Sequence, residues 1–213
     1  MNTLSTDLRA IKTRAAIQSH FIDLLLEKNF NEITVKDIAR AANIGRGTFY
    51  LHYTDKFDLL GKLMDEGLKS ATDNFQPKAY FKEGKVLPER LVGYALKMFD
   101  HFQEHERFYR AMLFNEGISS FRYRMQQSYL KKFRHEIQEL SQANRMSDPI
   151  TMEILPIFIS SGMIGLVGWW FKNNMRISKE YMARKVFQVM TKGPLQVLGF
   201  AIDEEGEDEL RKK

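Results

Sequence analysis

The sequence lacks several features on which whole classes of protein depend. It contains no cysteine, which excludes disulfides, thiolate metal ligands and cysteine nucleophiles. The N-terminal stretch MNTLSTDLRAIK has no apolar signal core, so we expect a cytoplasmic protein. Internal repeats, a phosphate-binding loop and a serine–histidine–aspartate arrangement are also missing from the sequence. We therefore expect neither a cofactor nor enzymatic activity.

Length and charge set loose limits on what remains. A chain of 213 residues can bury a substantial core and suits one large or two small domains. The net charge of +5 is compatible with nucleic-acid binding but does not establish it. Residues 1–60 carry eight Lys+Arg against seven Asp+Glu. If this end of the chain binds DNA, its basic residues must therefore lie together on one face.

The stretch TVKDIARAANIGRGTFYLHYTDK, which begins at Thr34, has the pattern of a helix-turn-helix. Thr34 and Asp37, three residues apart, form a capping-box start for the first helix. Asn43 tolerates the left-handed conformation that a tight turn requires, and Gly45 carries no Cβ that could clash there. A second short helix, about Arg46–His52, follows. In such a motif the second helix lies in the DNA major groove.

This stretch resembles the DNA-binding domain of the TetR family of bacterial transcriptional regulators. The residues that carry the resemblance are Ile38, Ala39, Ala42, Ile44, Gly47, Thr48, Phe49, Tyr50, His52, Tyr53, Lys56, Leu59 and Leu60. Two positions depart from the family pattern. Asn43 stands where the family usually has glycine, and Gly45 stands where a serine or threonine usually caps the second helix and can touch a phosphate.

The resemblance and the helix starts together predict a DNA-contacting surface. Its predicted residues are Thr34, Lys36, Gly45, Arg46, Gly47, Thr48, Tyr50, His52, Tyr53 and Lys56. By resemblance, Gly47, Thr48, Tyr50, His52 and Tyr53 face the groove. Arg46 is suited to reading a guanine through paired donors. Thr34, Lys36 and Lys56 are expected to hold phosphates at the helix starts.

The caps and apolar spacing in the rest of the chain predict further helices, so we expect an all-α protein with two domains. Residues 1–71 would form a three-helix DNA-binding domain, residues 72–202 a helical domain for effector binding and dimerisation, and residues 203–213 a charged tail. A first helix is predicted over Leu8–Lys28. Later helices are predicted to begin near Asp55, Pro88, Ser119, Pro149 and Ser178, from their caps and apolar spacing.

The segment Ile154–Phe171 contains eighteen residues without a charge, the lower limit for a membrane span. Pro156 and the neighbouring serines reduce its apolarity, and close flanking charges argue against a span. A helix that is apolar all round can instead be covered by a second subunit. We therefore expect a homodimer and no membrane partner. The predicted interface residues are Ser161, Gly162, Gly165, Gly168, Val186 and Met190.

The C-terminal part is rich in aromatic and methionine side chains, which suit either an apolar pocket or a filled core. The resemblance favours a pocket for a small-molecule effector. The candidate lining residues are Phe99, Phe102, Phe108, Tyr109, Met112, Met125, Tyr129, Phe158, Met163 and Trp169.

Three functions remain open on the sequence. The favoured one is a TetR-type regulator, a repressor released from a palindromic operator on double-stranded DNA by an effector. The second is a DNA-binding protein of the same fold without an effector, either an activator or a chromosome-associated factor. The third is a zinc hydrolase, since His101, Glu104 and His105 match the pattern H-x-x-E-H. That pattern arises easily in a helix rich in His and Glu, and surface histidines are the simpler interpretation.

Overall fold

The computed structural model describes residues 3–73, 77–82, 85–144 and 149–201, and confirms an all-α fold. Ten α-helices span these described ranges. Their bounds are α1 Thr3–Glu27, α2 Val35–Ala41, α3 Arg46–Tyr50, α4 Lys56–Asp73, α5 Pro88–Glu104, α6 Glu106–Phe114, α7 Phe121–Asn144, α8 Pro149–Lys172, α9 Lys179–Lys192 and α10 Pro194–Val197. The predicted charged tail, residues 203–213, lies outside the described residues.

Local sequence signals account for most of the helix ends. Thr34 forms the predicted capping box, in which its hydroxyl accepts from the Asp37 amide while the Asp37 carboxylate accepts from the Thr34 amide. Asn43 adopts the predicted left-handed conformation, with φ of 52°. The helix α4 begins one residue later than predicted. Its N-cap is Asp55, whose Oδ1 accepts from the amides of Phe57 and Asp58 at 2.8 Å each.

Two short non-helical features connect the elements. A 3-10 turn over Phe30–Glu32, here called the Phe30 turn, joins α1 to α2. Asn29 is the N-cap of this turn, and its side chain accepts from the Asn31 amide. Between α4 and α5 a second 3-10 turn leads into the two-residue strands β1, Phe81–Lys82, and β2, Lys85–Val86, which pair antiparallel. The segment between α4 and α5 thus contains a pair of short antiparallel strands.

One continuous hydrophobic core runs from α1 through α4 to α9. The helix α4 belongs to both ends of it, since Phe57 near its start packs edge-on against Phe30 at 5.3 Å while Gly67 lies against α6. The Phe108 ring is so close to Gly67 that a Cβ placed there would lie 2.3 Å from its Cζ atom. The α4 carboxylate of Asp65 also pairs with Arg124 of α7 at 2.6 Å. The helix after the recognition helix is therefore tied directly to the C-terminal bundle.

The outer face of α8 is apolar and exposed. Among the described residues, Ile150–Lys172 is the helix long and apolar enough to cross a membrane, yet just 22% of its most apolar window is buried. Its exposed large side chains are Ile150, Ile154, Leu155, Ile157, Phe158 and Trp169. A core helix of a monomer would be mostly buried, and one apolar helix is weak evidence for a membrane span. This face therefore requires some other cover.

Candidate nucleic-acid interface

The exposed end of the helix-turn-helix combines most of the predicted DNA-contacting residues. Lys36 at the start of α2 is exposed, as are Arg46, Gly47 and Tyr50 on α3, while Thr48 is half-buried. The Phe49 side chain, fully buried in the core, anchors α3 from behind. The accessible side chains of this motif are therefore basic, hydroxyl-bearing and aromatic.

Sequence reasoning missed Leu51, the residue after α3. Its side chain is 83% exposed, the highest exposure of any large apolar residue described. It lies beside Tyr50, which is itself 57% exposed. The available signal was its position within the Gly-Thr-Phe-Tyr-Leu-His-Tyr run, between residues predicted to face the groove. An apolar side chain held in solvent on a recognition helix is suited to contact with a thymine methyl group.

Tyr53 does not occupy the predicted groove-facing position. Its side chain is 2% exposed and packs with Phe49, the two ring centroids lying 5.7 Å apart. Tyr53 follows Phe49 by four residues, so the same inward-facing side of the chain carries both rings. Burial raises the pKa of Tyr53, while the nearby Arg14 and Gln18 lower it. The groove-facing prediction for this residue is wrong because its ring completes the domain core.

Lys56 is also placed differently from its prediction. Its Nζ donates to three backbone carbonyls of the Phe30 turn and its end, Phe30 at 2.9 Å, Asn31 at 3.1 Å and Ile33 at 2.8 Å. The ammonium also lies over the rings of Phe30 and Phe57. An ammonium has three donors, and these carbonyls use all of them. The predicted phosphate contact is at odds with this geometry, which makes Lys56 a structural cap.

Ion pairs separate the basic residues of this end into two groups. Arg14 pairs with Glu66, Arg40 with Asp37 and Lys62 with Asp58. The Thr34 hydroxyl is committed too, since it donates to Asp37 at 2.6 Å, and this hydrogen bond lowers the pKa of that carboxyl. Lys36 and Arg46 have no ion pair within the described side chains. Of the cations predicted to contact DNA, Lys36 and Arg46 are therefore the two left available to an anionic partner, since Lys56 is bound to backbone carbonyls.

Gly45 caps α3 without using the conformational freedom of glycine. Its φ of −72° and ψ of 149° suit any residue, and a Cβ would meet nothing closer than the Thr48 hydroxyl at 4.0 Å. The expectation that this corner needs glycine is therefore wrong. Gly45→Ser should raise the free energy of unfolding by about 0.5–1 kcal/mol, through the cap and the stiffer unfolded chain. Urea denaturation measures this, and a destabilised variant would show that the turn is strained.

The interior of the C-terminal part divides the candidate effector residues. Phe158 and Trp169 are 67% and 46% exposed, so their predicted place in an inner pocket is wrong. Trp170 occupies that interior instead, with its ring 5.2 Å from Phe99 and its Nε1 donating to the Ile177 carbonyl. Tyr129 and Met163 pack against the core. The remaining candidates, Phe99, Phe102, Phe108, Tyr109, Met112 and Met125, are buried within it.

Two tyrosine hydroxyls in this interior differ in their partners. The Tyr109 hydroxyl lies 2.9 Å from His101 Nε2. The Tyr129 hydroxyl is buried and has no hydrogen-bond partner among the described residues. Burial raises the pKa of both tyrosines and lowers the pKa of His101 to about 4. Near neutral pH the cluster is therefore uncharged, and Tyr129 offers an unused donor to any polar atom that reaches it.

The H-x-x-E-H residues do not form a metal centre in the described part of the chain. No group of three His, Asp or Glu side chains there could hold a metal ion. The His101 and His105 rings are adjacent, with centroids 4.6 Å apart. However, His101 directs Nε2 at Tyr109, and Glu104 is exposed to solvent. The geometry gives the zinc-hydrolase interpretation no support.

The predicted dimer residues fall on two sides of the subunit. Ser161, Gly162 and Gly165 are exposed on α8, and Met190 is exposed on α9. Gly168 lies under Arg122, and Val186 is buried in the core. The prediction is wrong for these last two, because the inward side of each helix packs within the subunit.

The comparisons with known proteins match both ends of the chain. Residues 22–63 match the model of the bacterial regulatory proteins of the TetR family, and residues 89–192 match a transcriptional regulator C-terminal region. The uncharacterized HTH-type transcriptional regulator YxbF of Bacillus subtilis is 41% identical over 69 residues, 32% of this chain and 18% of that protein. The HTH-type transcriptional regulator EthR of Mycolicibacterium smegmatis is 33% identical over 98 residues, 46% of this chain and 44% of that protein.

A solved structure extends the similarity of fold to nearly the whole chain. The transcriptional regulator FadR from Bacillus subtilis, in complex with stearoyl-CoA, superimposes with a TM-score of 0.66 and 17% identity, covering 84% of this chain and 98% of that one. The chain spans less than half the length of the two curated relatives. The two family models fall on the helix-turn-helix and on the helical bundle that the structure shows. The chain belongs to the TetR family of bacterial transcriptional regulators.

Proposed function

We propose that the protein is a sequence-specific transcriptional regulator whose helix α3 reads the DNA major groove. Residues 1–71 serve as the DNA-binding domain and residues 72–202 as the effector-binding and dimerisation domain. The observation that carries the proposal is the helix-turn-helix of α2 and α3, on which Lys36, Arg46, Tyr50 and the following Leu51 are all exposed. The protein acts in the cytoplasm as a repressor that a small-molecule effector releases from a palindromic operator.

The exposed residues divide the work of binding. Lys36 neutralises a phosphate, which gives affinity without sequence information. Arg46, the first residue of α3, reads a guanine with two donors, and Leu51 packs on a thymine methyl group. A recognition helix of five residues reaches few base pairs. Twofold pairing doubles this readout and sets half-site centres about one turn of DNA, or a multiple, apart.

Selection of duplexes from a random DNA pool tests this function directly. The wild-type protein should enrich one palindromic sequence, and Arg46→Lys should relax the preference at one guanine per half-site. The loss of paired donors costs about 1–3 kcal/mol of discrimination there, while the retained charge preserves the salt dependence. Fluorescence anisotropy over a salt series measures both quantities. A wild-type protein that enriches no sequence would contradict the proposal.

The dimer is built on the exposed faces of α8 and α9. Ile154, Phe158 and Trp169 on α8, with Val189 and Met190 on α9, are each at least 40% exposed in one subunit. Exposed apolar area of this kind is typical of obligate interfaces, which resemble a core cut in half. Gly162 and Gly165, between the large side chains, allow a second helix to approach closely. A second copy of the chain is the occupant that a twofold operator requires.

Gly165→Glu should convert the dimer to a monomer without unfolding the subunit. A Cβ at Gly165 meets nothing within 4 Å in the single chain, so the substitution is neutral for the isolated fold. In the dimer it buries an unpaired charge, which costs several kcal/mol. Sedimentation velocity without detergent measures the mass, and circular dichroism verifies that the helices remain. A dimeric variant, or a wild-type protein soluble only in detergent, would contradict this interface.

The effector binds in the interior around Tyr129. A fully buried hydroxyl without a partner is rare and calls for an explanation, and a ligand atom that accepts a hydrogen bond supplies one. The surrounding aromatic and methionine side chains favour an apolar molecule. The FadR structure, with its stearoyl-CoA, makes long-chain acyl-CoA the first compound to test. Its binding should raise the melting temperature of the protein. It should also weaken operator binding, and the operator should weaken acyl-CoA binding by the same factor. No response to a broad apolar panel would favour a regulator without an effector.

A further inference from the structure

The side-chain amide of Asn115 joins the C-terminal bundle to the DNA-binding domain. Asn115 follows α6 and uses its whole hydrogen-bonding capacity. Its Nδ2 donates to the carbonyls of Leu25 and Lys28 at the end of α1, each at 2.8 Å. Its Oδ1 accepts from the amides of Phe30 and Gly117, each at 3.0 Å. One amide thus ties together the last turn of α1, the Phe30 turn and the loop that leads to α7.

The loop after Asn115 is shaped for this contact. A Cβ at Gly117 would lie 2.5 Å from the Asn29 Oδ1 atom and 3.0 Å from the Phe30 Cβ atom. A residue with a side chain would therefore push the loop away from the Phe30 turn. The last carbonyls of a helix have no partners within the helix. Asn115 supplies those partners for α1 from a separate part of the fold.

The Phe30 turn is held from its other side by Lys56. The Phe30 amide donates to Asn115, and the Phe30 carbonyl accepts from Lys56 Nζ. Lys56 is the first residue of α4 and closely follows α3. A short polar path therefore runs from the end of α6, through one residue of the turn, to the first residue of α4, the helix that follows α3. Its directional hydrogen bonds fix an angle as well as a distance.

Packing next to the joint is open. A groove of about 400 Å³ runs beside it, between the end of α1 and the end of α6, with Leu26, Arg110 and Phe114 among its lining residues. The orientation of α1 against α6 depends there on the three hydrogen bonds from the amide to Leu25, Lys28 and Phe30, together with the ion pair between Arg107 of α6 and Asp23 of α1.

We propose that Asn115 is the positioning residue that sets the orientation of the recognition helix relative to the C-terminal bundle. This inference rests on the proposed function, because the orientation matters when two recognition helices must meet two half-sites at a fixed separation. Asn115 itself contacts no DNA. Its loss leaves each half-site contact intact and removes the discrimination between half-site spacings.

The experiment compares spacing discrimination in full-length protein. A duplex selected from a random pool by the wild-type protein is paired with a second duplex that carries one inserted base pair at its centre. The insertion lengthens the spacing and rotates one half-site by about 35°. Wild-type affinity should fall about tenfold or more on the second duplex, as for a poorly matched site. The Asn115→Ala protein should bind the second duplex less than about threefold more weakly than the first, a difference smaller than one mismatched base pair usually causes.

Three further variants separate positioning from stability. Asn115→Asp keeps an acceptor for Phe30 and Gly117 but turns an oxygen toward the α1 carbonyls, so it should give an intermediate ratio and serves if Asn115→Ala does not fold. Asn173→Asp makes the same chemical change at the end of α8, where Nδ2 donates to the Trp169 carbonyl. Ile38→Val weakens the core away from the joint. Both of these controls should retain the wild-type ratio of affinities for the two duplexes.

Each outcome decides between the claims. An Asn115 variant that folds and keeps the wild-type ratio of affinities would overturn the positioning role. An Ile38→Val protein whose discrimination between the two duplexes falls as far as that of Asn115→Ala would overturn it too. A wild-type protein that selects a duplex but tolerates the insertion would leave the DNA-binding function standing and overturn this inference. A wild-type protein that selects no duplex would overturn both.

Discussion

Lys56→Ala should lower the free energy of unfolding by about 2–3 kcal/mol and leave the salt dependence of DNA binding unchanged. The substitution removes the three hydrogen bonds from Nζ to the Phe30 turn, two of them to part-buried carbonyls. It also removes the contacts of the ammonium with two aromatic rings. The penalty is smaller than for fully buried carbonyls because solvent reaches the Asn31 carbonyl. Urea denaturation and a salt titration of operator binding measure the two effects.

Lys36→Ala is the matched control for this prediction. Lys36 is exposed at the start of α2 and has no ion pair within the described side chains. Its removal should change stability by less than about 0.5 kcal/mol, as for ordinary surface substitutions. It should reduce the salt slope of binding by about one, as expected for one lost phosphate contact. If Lys56→Ala instead lowers the slope and leaves stability unchanged, the residue is a phosphate contact and the structural assignment is wrong.

Gly67→Ala should destabilise the protein by about 1–3 kcal/mol, although alanine is the better helix former. A Cβ at this position would lie 2.3 Å from Phe108 Cζ and 2.5 Å from Cε1. The Phe108 ring cannot retreat freely, because it packs edge-on against Tyr109 and Phe121 at 5.0 and 5.6 Å. The added methyl group must therefore displace α4 from α6. Thermal unfolding, followed by circular dichroism, measures the loss.

Gly61→Ala on the same helix provides the control. A Cβ at Gly61 meets nothing within 4 Å, so this variant should gain about 0.5–1 kcal/mol from helix propensity alone. Replacing the opposing ring with a smaller side chain, Phe108→Leu, should recover part of the stability lost in Gly67→Ala, because substitutions at contacting residues are not additive. Equal effects of the two glycine substitutions would show that the Gly67–Phe108 contact does not constrain the helices.

Local chemistry was enough to predict the helix-turn-helix and the all-α architecture. The capping box at Thr34, the left-handed Asn43 and the proline at the start of α5 act within a few residues of where they stand, so their effect is visible in the sequence. Apolar spacing likewise identified the buried side of each long helix. The family resemblance depended on the same kind of short, local pattern. The sequence by itself therefore determined which segments are helices and where the helix-turn-helix lies.

The tertiary structure alone decided what several side chains do, because their partners lie far away along the chain. Lys56 and Tyr53 have residue types that suit a DNA surface, yet one caps the Phe30 turn and the other fills the core. Asn115 bonds to Leu25 and Lys28, about ninety positions away in the sequence. Trp169 and Trp170 are adjacent on an apolar helix, and the packing of α8 alone places one outside and one inside. Such choices depend on which helix faces meet, and no local pattern encodes that.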